Sequence, residues 1–271
     1  MKPTKPNPTK GLAKPLGDMP LTKPVRSRKV TIDVPEQWDK DPLSAHWAAC
    51  SSNMVTNFAT GSDEIRYMQA VDSLFVKITT NLINSKELVV ALLLLRTHSA
   101  YRAATVLAAS GMSTDIYATL RTVLETAGYA LIMHDTPGMA ATWLERHTDD
   151  AHMAAVKSKY NVGAIKKAIT EKAKDAGLLK VFEALYTRTI DMGGHPNERS
   201  LTSTMTLTED EQRKVFNVEY IQGNTLGVKL AMKTAAQVGL CALYIFQHTM
   251  KARFEILGLR EEMNKLRQSG L

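Results

Sequence analysis

From residue 41 onward, apolar residues recur at three- and four-residue spacing almost without interruption. That is the period of a helix face and not of a strand. The spacing predicts helices over 42–58, 63–83, 86–110, 114–134, 137–158, 162–175, 178–191, 209–221 and 225–257. Several starts carry capping signals. Asn84 with Glu87, and Thr208 with Glu211, have the spacing of a capping box, and Thr136 before Pro137 separates two helices. No alternating run suggests a strand, and no internal repeat is visible. The expected fold class is all-α, a multi-helix bundle around a central antiparallel helical hairpin, with a disordered N-terminal tail.

The hairpin is expected between Leu88 and Met133. Leu88 to Leu95 is an unbroken apolar run of eight residues, far short of the roughly 20 that cross a bilayer and too apolar all round for a surface helix. Gly111 is placed to end this helix in the left-handed conformation, and Ser113 to cap the next. With so tight a turn, residues equidistant from it lie level, which sets His98 beside Glu125 and Arg102 beside Arg121. His98 and Arg102 share one helix face, as do Arg121 and Glu125. If those faces meet, they form a charged quartet with Arg96 nearby. One carboxylate against two arginines then leaves positive charge for another acid, a ligand anion or water.

Charge changes the picture at the N-terminal end. Residues 1–29 hold eight basic residues, one acid and six prolines, which accounts for the whole net charge of +7. The helical remainder is neutral, so the basic isoelectric point describes a tail and not a nucleic-acid-binding face. A Pro/Lys/Thr-rich segment cannot bury enough surface to fold alone, and it lacks the apolar core of a secretory signal. The expected organisation is a disordered tail over 1–38 and one helical domain over 39–271. In the last long helix Thr225, Lys229, Lys233 and Gln237 draw a polar stripe every four residues, which speaks for a bundle helix rather than a membrane span. A cytoplasmic protein is expected. Two cysteines, Cys50 and Cys241, are too few for a disulfide framework or a cysteine zinc site.

The one long break in the helical pattern is 192–207, where Gly193, Gly194 and Pro196 bracket His195. A loop of that length inside a bundle is more often functional than accidental, which makes His195 the first candidate for chemistry. Arg96 in Leu-Leu-Arg, Gly111, Tyr-Ala-Thr-Leu-Arg121-Thr-Val-Leu-Glu125, the Trp143 helix and Tyr186 followed by His195-Pro196 together resemble an uncharacterised bacterial all-helical family. Its marks are an Arg-x-x-x-Glu helix and a later Tyr…His-Pro, and the match spans about residues 85–250 by eye. That family is distantly similar to HEPN-like bundles, some of which are metal-independent ribonucleases of defence and toxin systems. The resemblance implies a helical fold, with Arg121, Glu125 and His195 as the positions of interest, and it implies no known reaction.

HEPN nucleases carry an Arg followed at short spacing by a His, one group for the phosphate and one for proton transfer. Arg146…His152 and Arg188…His195 fit that spacing, but with seven histidines about one such match arises by chance. His134-Asp135 reads as a helix end, and His147 and His152 lie too far apart on a helix to share a metal. Neither cofactor nor metal is expected. Three functions remain. The leading one is a regulatory bundle binding an anion, nucleotide or RNA phosphate through Arg96, His98, Arg102, Arg121 and Glu125. The second is a HEPN-like ribonuclease with His195 as acid–base and Arg188 or Arg121 at the phosphate. The third is an interaction protein whose polar quartet is self-satisfied. RNA or a nucleotide, a protein partner or a second copy are the expected partners, and a membrane is not.

Overall fold

A computed structural model describes residues 33–83, 85–195, 198–209 and 213–271. The basic tail expected over 1–38 therefore lies, as far as residue 32, outside the described residues, as do Asn84 and Glu211 of the two expected capping boxes. The chain divides after Trp38. In the short first unit Trp38 N–H donates to the Pro35 carbonyl at 2.9 Å. The second unit, Asp39–Leu271, holds every regular element described.

Three helices open the second unit: α1 (Pro42–Thr60), α2 (Asp63–Thr79) and α3 (Leu88–Ala109). The Asp41 carboxylate accepts from the N–H groups of Leu43 and Ser44, a capping box that fixes the start of α1. A turn follows α3, and α4 (Ile116–Met133) runs back along it. Gly111 at φ +89° makes that turn possible. A Cβ there would lie 2.1 Å from the Gln222 carbonyl oxygen, so only glycine fits the site. Ser113 does not cap α4 as expected. Its hydroxyl donates to Gln222 Oε1 at 2.6 Å, and Asp115 holds the cap position without a side-chain bond.

Smaller elements follow: α5 (Met139–Leu144), α6 (Asp150–Lys159), α7 (Val162–Ala168) and α8 (Ala176–Thr189), then α9 (Glu198–Thr202). The helix expected over 137–158 is thus two, because 145–149 supplies no apolar period, and Asp149 caps the second by accepting from His152 N–H at 2.9 Å. After the hairpin β1 (Met205–Glu209) and β2 (Lys214–Val218) come α10 (Leu226–Thr249), α11 (Lys251–Ile256) and α12 (Leu259–Gln268). The helix expected over 209–221 is wrong, and so is the expectation of no strands. β1 and β2 pair antiparallel with Leu207 opposite Phe216 and Thr208 opposite Val215. Thr, Val and Phe favour a pleated surface, and their cross-strand pairing outweighs the helical spacing read there.

α3 and α4 share the most extensive contact in the molecule, and α10 packs across α4, α2 and α3. Leu94, Tyr101, Leu120, Leu124 and Phe246 are fully enclosed where these helices meet. α10 is long and apolar enough to cross a membrane by composition alone, yet 67% of its apolar window is buried among the other helices. The fold is all-α apart from the one hairpin, and its centre is the antiparallel α3–α4 pair.

Candidate functional site

The register of the α3–α4 pair matches the level positions read from the sequence, but its rotation differs by one residue. The side chains that meet across it are Thr97 and Thr126, whose hydroxyls lie 2.7 Å apart. One residue is a rotation of about 100°, and it separates the expected quartet onto two faces. His98 and Arg102 turn toward α2, where Asp72 receives both. His98 Nε2 lies 2.7 Å from Asp72 Oδ1, while Arg102 donates from Nε to Oδ1 at 2.7 Å and from Nη2 to Oδ2 at 2.9 Å. The His98 ring also stacks on Phe75, 5.1 Å away and 9° from parallel. Burial pushes the Asp72 carboxyl up, but the bonds from Arg102 and His98 outweigh it and hold it well below the usual carboxylate range. This triad is a closed structural pair of helices and not a vacant anion site. Arg96 joins neither group and lies exposed on the outer face of α3.

The other pair builds the candidate site. Arg121 donates from Nε to Glu125 Oε1 at 2.8 Å, and the Tyr186 hydroxyl of α8 donates to the same oxygen at 2.9 Å. The guanidinium lies over the Tyr186 ring, 5.4 Å from its centre, a cation–π contact. Arg121 Nη1 lies 2.8 Å from His195 Nε2. A guanidinium only donates, so Nε2 accepts and the ring proton sits on Nδ1. Burial, helped by the Glu125 bond, pushes the Tyr186 hydroxyl up to about 12, so it stays a donor. Arg121 and Glu125 are each nearly three-tenths exposed, and His195 is exposed. Arg146 is a further exposed cation close enough to act, with Arg121 and Glu125, on the Tyr129 hydroxyl.

The backbone explains why His195 reaches Arg121. At Ile190–Gly194, α8 runs into a kinked turn that leaves helical geometry at Gly193. Gly193 has φ +147°, and a Cβ on it would lie 2.5 Å from the Thr114 carbonyl oxygen. The Gly-Gly pair thus lets this turn seat against the entry of α4 at Thr114, about two turns of helix before Arg121. Among the described residues, the long loop expected over 192–207 holds the end of this turn, α9 and the start of the first strand, with 196 and 197 outside the described residues.

Arg188 is elsewhere. Two residues from Tyr186, it points to nearly the opposite side of α8, where Nη1 donates to Gln237 Oε1 at 3.0 Å and Thr234 Oγ1 at 3.3 Å. It braces α8 on α10 and does not accompany His195. Sequence reasoning missed Tyr186 as a site residue, although it was part of the pattern noted, and missed Asp72. The signal for Asp72 was available, since it is the only acid in α2 beyond its first turn.

A second cluster closes the end of α4. Glu87 Oε2 lies 2.6 Å from His134 Nδ1, Asp135 Oδ2 lies 3.1 Å from His134 Nε2, and Asp135 N–H donates to Glu87 Oε1. Among the described residues these three form the group able to offer a metal three ligand atoms within 4.8 Å. Both ring nitrogens are already matched with carboxylates, however, and Lys172 Nζ donates beside them to the carbonyls of Leu131, Ile132 and His134. The arrangement satisfies the orphan carbonyls at a helix end. Comparison of the chain with family models, curated proteins and solved structures finds no match.

Proposed function

We propose that the protein binds a phosphate-bearing ligand, a nucleotide or an RNA strand, at the Arg121–His195 end of this constellation. The observation that carries the proposal is the 2.8 Å contact between Arg121 Nη1 and His195 Nε2. Glu125 and Tyr186 fix the guanidinium from behind, so its outer edge and the Nδ1–H of an exposed imidazole form a preorganised pair of donors. A planar guanidinium suits two phosphate oxygens. Arg96, His98 and Arg102, included in the expected anion site, have no part in this reading.

The test is fluorescence polarisation with an end-labelled single-stranded RNA, competed by a nucleoside triphosphate and by inorganic phosphate. Arg121→Ala should weaken binding at least tenfold, about 1.4 kcal/mol, and Arg121→Lys should restore only part of it because it loses the fork. Equal affinity of Arg121→Ala and the parent protein would sink the proposal.

The same contact favours a second reading, metal-independent RNA cleavage of the HEPN-like kind, with Arg121 in place of Arg188 at the phosphate and His195 in proton transfer. His195→Ala would then abolish cleavage of RNA in chelator while leaving RNA affinity within a few-fold. If the parent protein does not cut, only the binding reading stands.

A further inference from the structure

Among the described residues, little packs on the outer face of α3 or on most of α1. Between Pro42 and Ser62 there is no Asp, Glu, Lys or Arg, where a stretch of that length at ordinary composition holds about five. Of the 19 residues of α1 only Ser44 and Asn57 are buried, while Leu43, Trp47, Val55 and Phe58 are each about half exposed or more. Surface helices ordinarily carry charge on the face turned to water. This one presents none.

On α3 the exposed positions Leu88, Leu92, Leu95, Ser99, Arg102 and Val106 form one stripe spaced 4, 3, 4, 3 and 4, with exposed Arg96 and Ala103 along its margin. That is the alternation of a two-helix seam, in which a and d positions face a partner helix. Leu88, Leu92 and Leu95 are 50%, 52% and 45% exposed in the middle of the most apolar run in the chain. The two surfaces are continuous, since Phe58 of α1 and Val106 of α3 line one groove of about 680 Å³. Taking roughly 150–250 Å² for a large side chain, the half-exposed ones on these two helices offer on the order of 800 Å² per copy, which is what each partner brings to a stable complex.

We infer that this face is covered by a second copy of the same chain, with the α3 seams packed on one another and α1 extending the contact. α1 adds no charge to this face, and on α3 the Arg102 cation is balanced by Asp72 of its own chain with Arg96 at the margin, so two largely apolar copies can meet about a twofold axis. An interfacial membrane helix, by contrast, carries Lys and Arg on its polar face, and α1 has neither. The inference does not depend on the Arg121 site, which lies on other faces of α4 and α8.

The test is the mass in solution of the full chain by light scattering after size exclusion, over a wide concentration range, for the parent and for Leu92→Glu with Leu95→Glu. The parent should be a dimer and the double variant a monomer with the same helical circular dichroism, because both positions face water in one chain. Should that variant aggregate, Leu95→Cys gives a second readout, a chain-to-chain disulfide formed by mild oxidant in the native state and absent under denaturing dilution. A monomeric parent at every concentration, or a double variant that remains dimeric, would overturn the inference. So would sedimentation of the monomer with anionic vesicles.

Discussion

Asp72 is the residue on which the packing of α2 against α3 turns, because a single carboxylate receives both His98 and Arg102. Its carboxyl is held well below the ordinary range in the folded state. The stability it contributes is therefore complete above the unfolded value near 3.9 and is lost as pH falls through and below it. Asp72→Asn should lower stability near neutrality by about 1–2 kcal/mol, discounted for the exposure of Arg102. The same variant should show a flatter loss of stability below about pH 4, read by urea unfolding at a series of pH values. A second prediction concerns Gly193. Alanine there is strained by the positive φ and meets the Thr114 carbonyl, at a cost of about 1–3 kcal/mol. Gly193→Ala should weaken RNA binding more than its fall in melting temperature alone explains, because it moves His195 away from Arg121. Unchanged affinity would show that the glycine serves folding only.

Among the elements, α4 carries two residues of the candidate site, Arg121 and Glu125, and ends on an unusual cap. Lys172 reaches from the π turn after α7 to the last carbonyls of α4, and burial lowers its ammonium from the ordinary lysine value despite Asp135 and Glu87 nearby. Lys172→Met keeps the stem and removes the donors, so it should destabilise by about 1 kcal/mol. It should also raise amide exchange at Ile132–His134 while leaving Arg121 chemistry intact. The α3–α4 pair also shows how far periodicity reaches. The turn at Gly111 and the level of each residue were legible, since both depend on counting from one glycine. Which face of α3 meets α4 was not, because a helix this apolar has no polar side to orient it, and Thr97 rather than His98 took the contact. The hairpin went unread for a related reason: strands of five residues give too few alternations to compete with a helical period.

For the molecule as a whole, the bundle and its hairpin centre could be read in one dimension, and so could the i,i+4 pairing of Arg121 with Glu125. The separation of the charges into an Asp72 triad and a Tyr186–His195 group could not, because it depends on how α2 and α8 approach from distant parts of the chain. The uncovered face has a further consequence through the way α1 is fastened. Asn53 donates to the carbonyls of Ser110 and Gln222, and Asn57 to that of Ala109. Among the described residues, these two amide side chains tie the C-terminal half of the 19-residue helix to the end of α3. An isolated helix of that length is marginal in water. α1 should therefore behave as a separate, low-stability foldon that opens while α3, α4 and α10 stay closed. In native-state hydrogen exchange its amides should be the least protected of any long helix in dilute protein and should gain protection as concentration rises. Within the helical unit, a limited protease that cleaves after apolar residues should likewise cut first within 42–60.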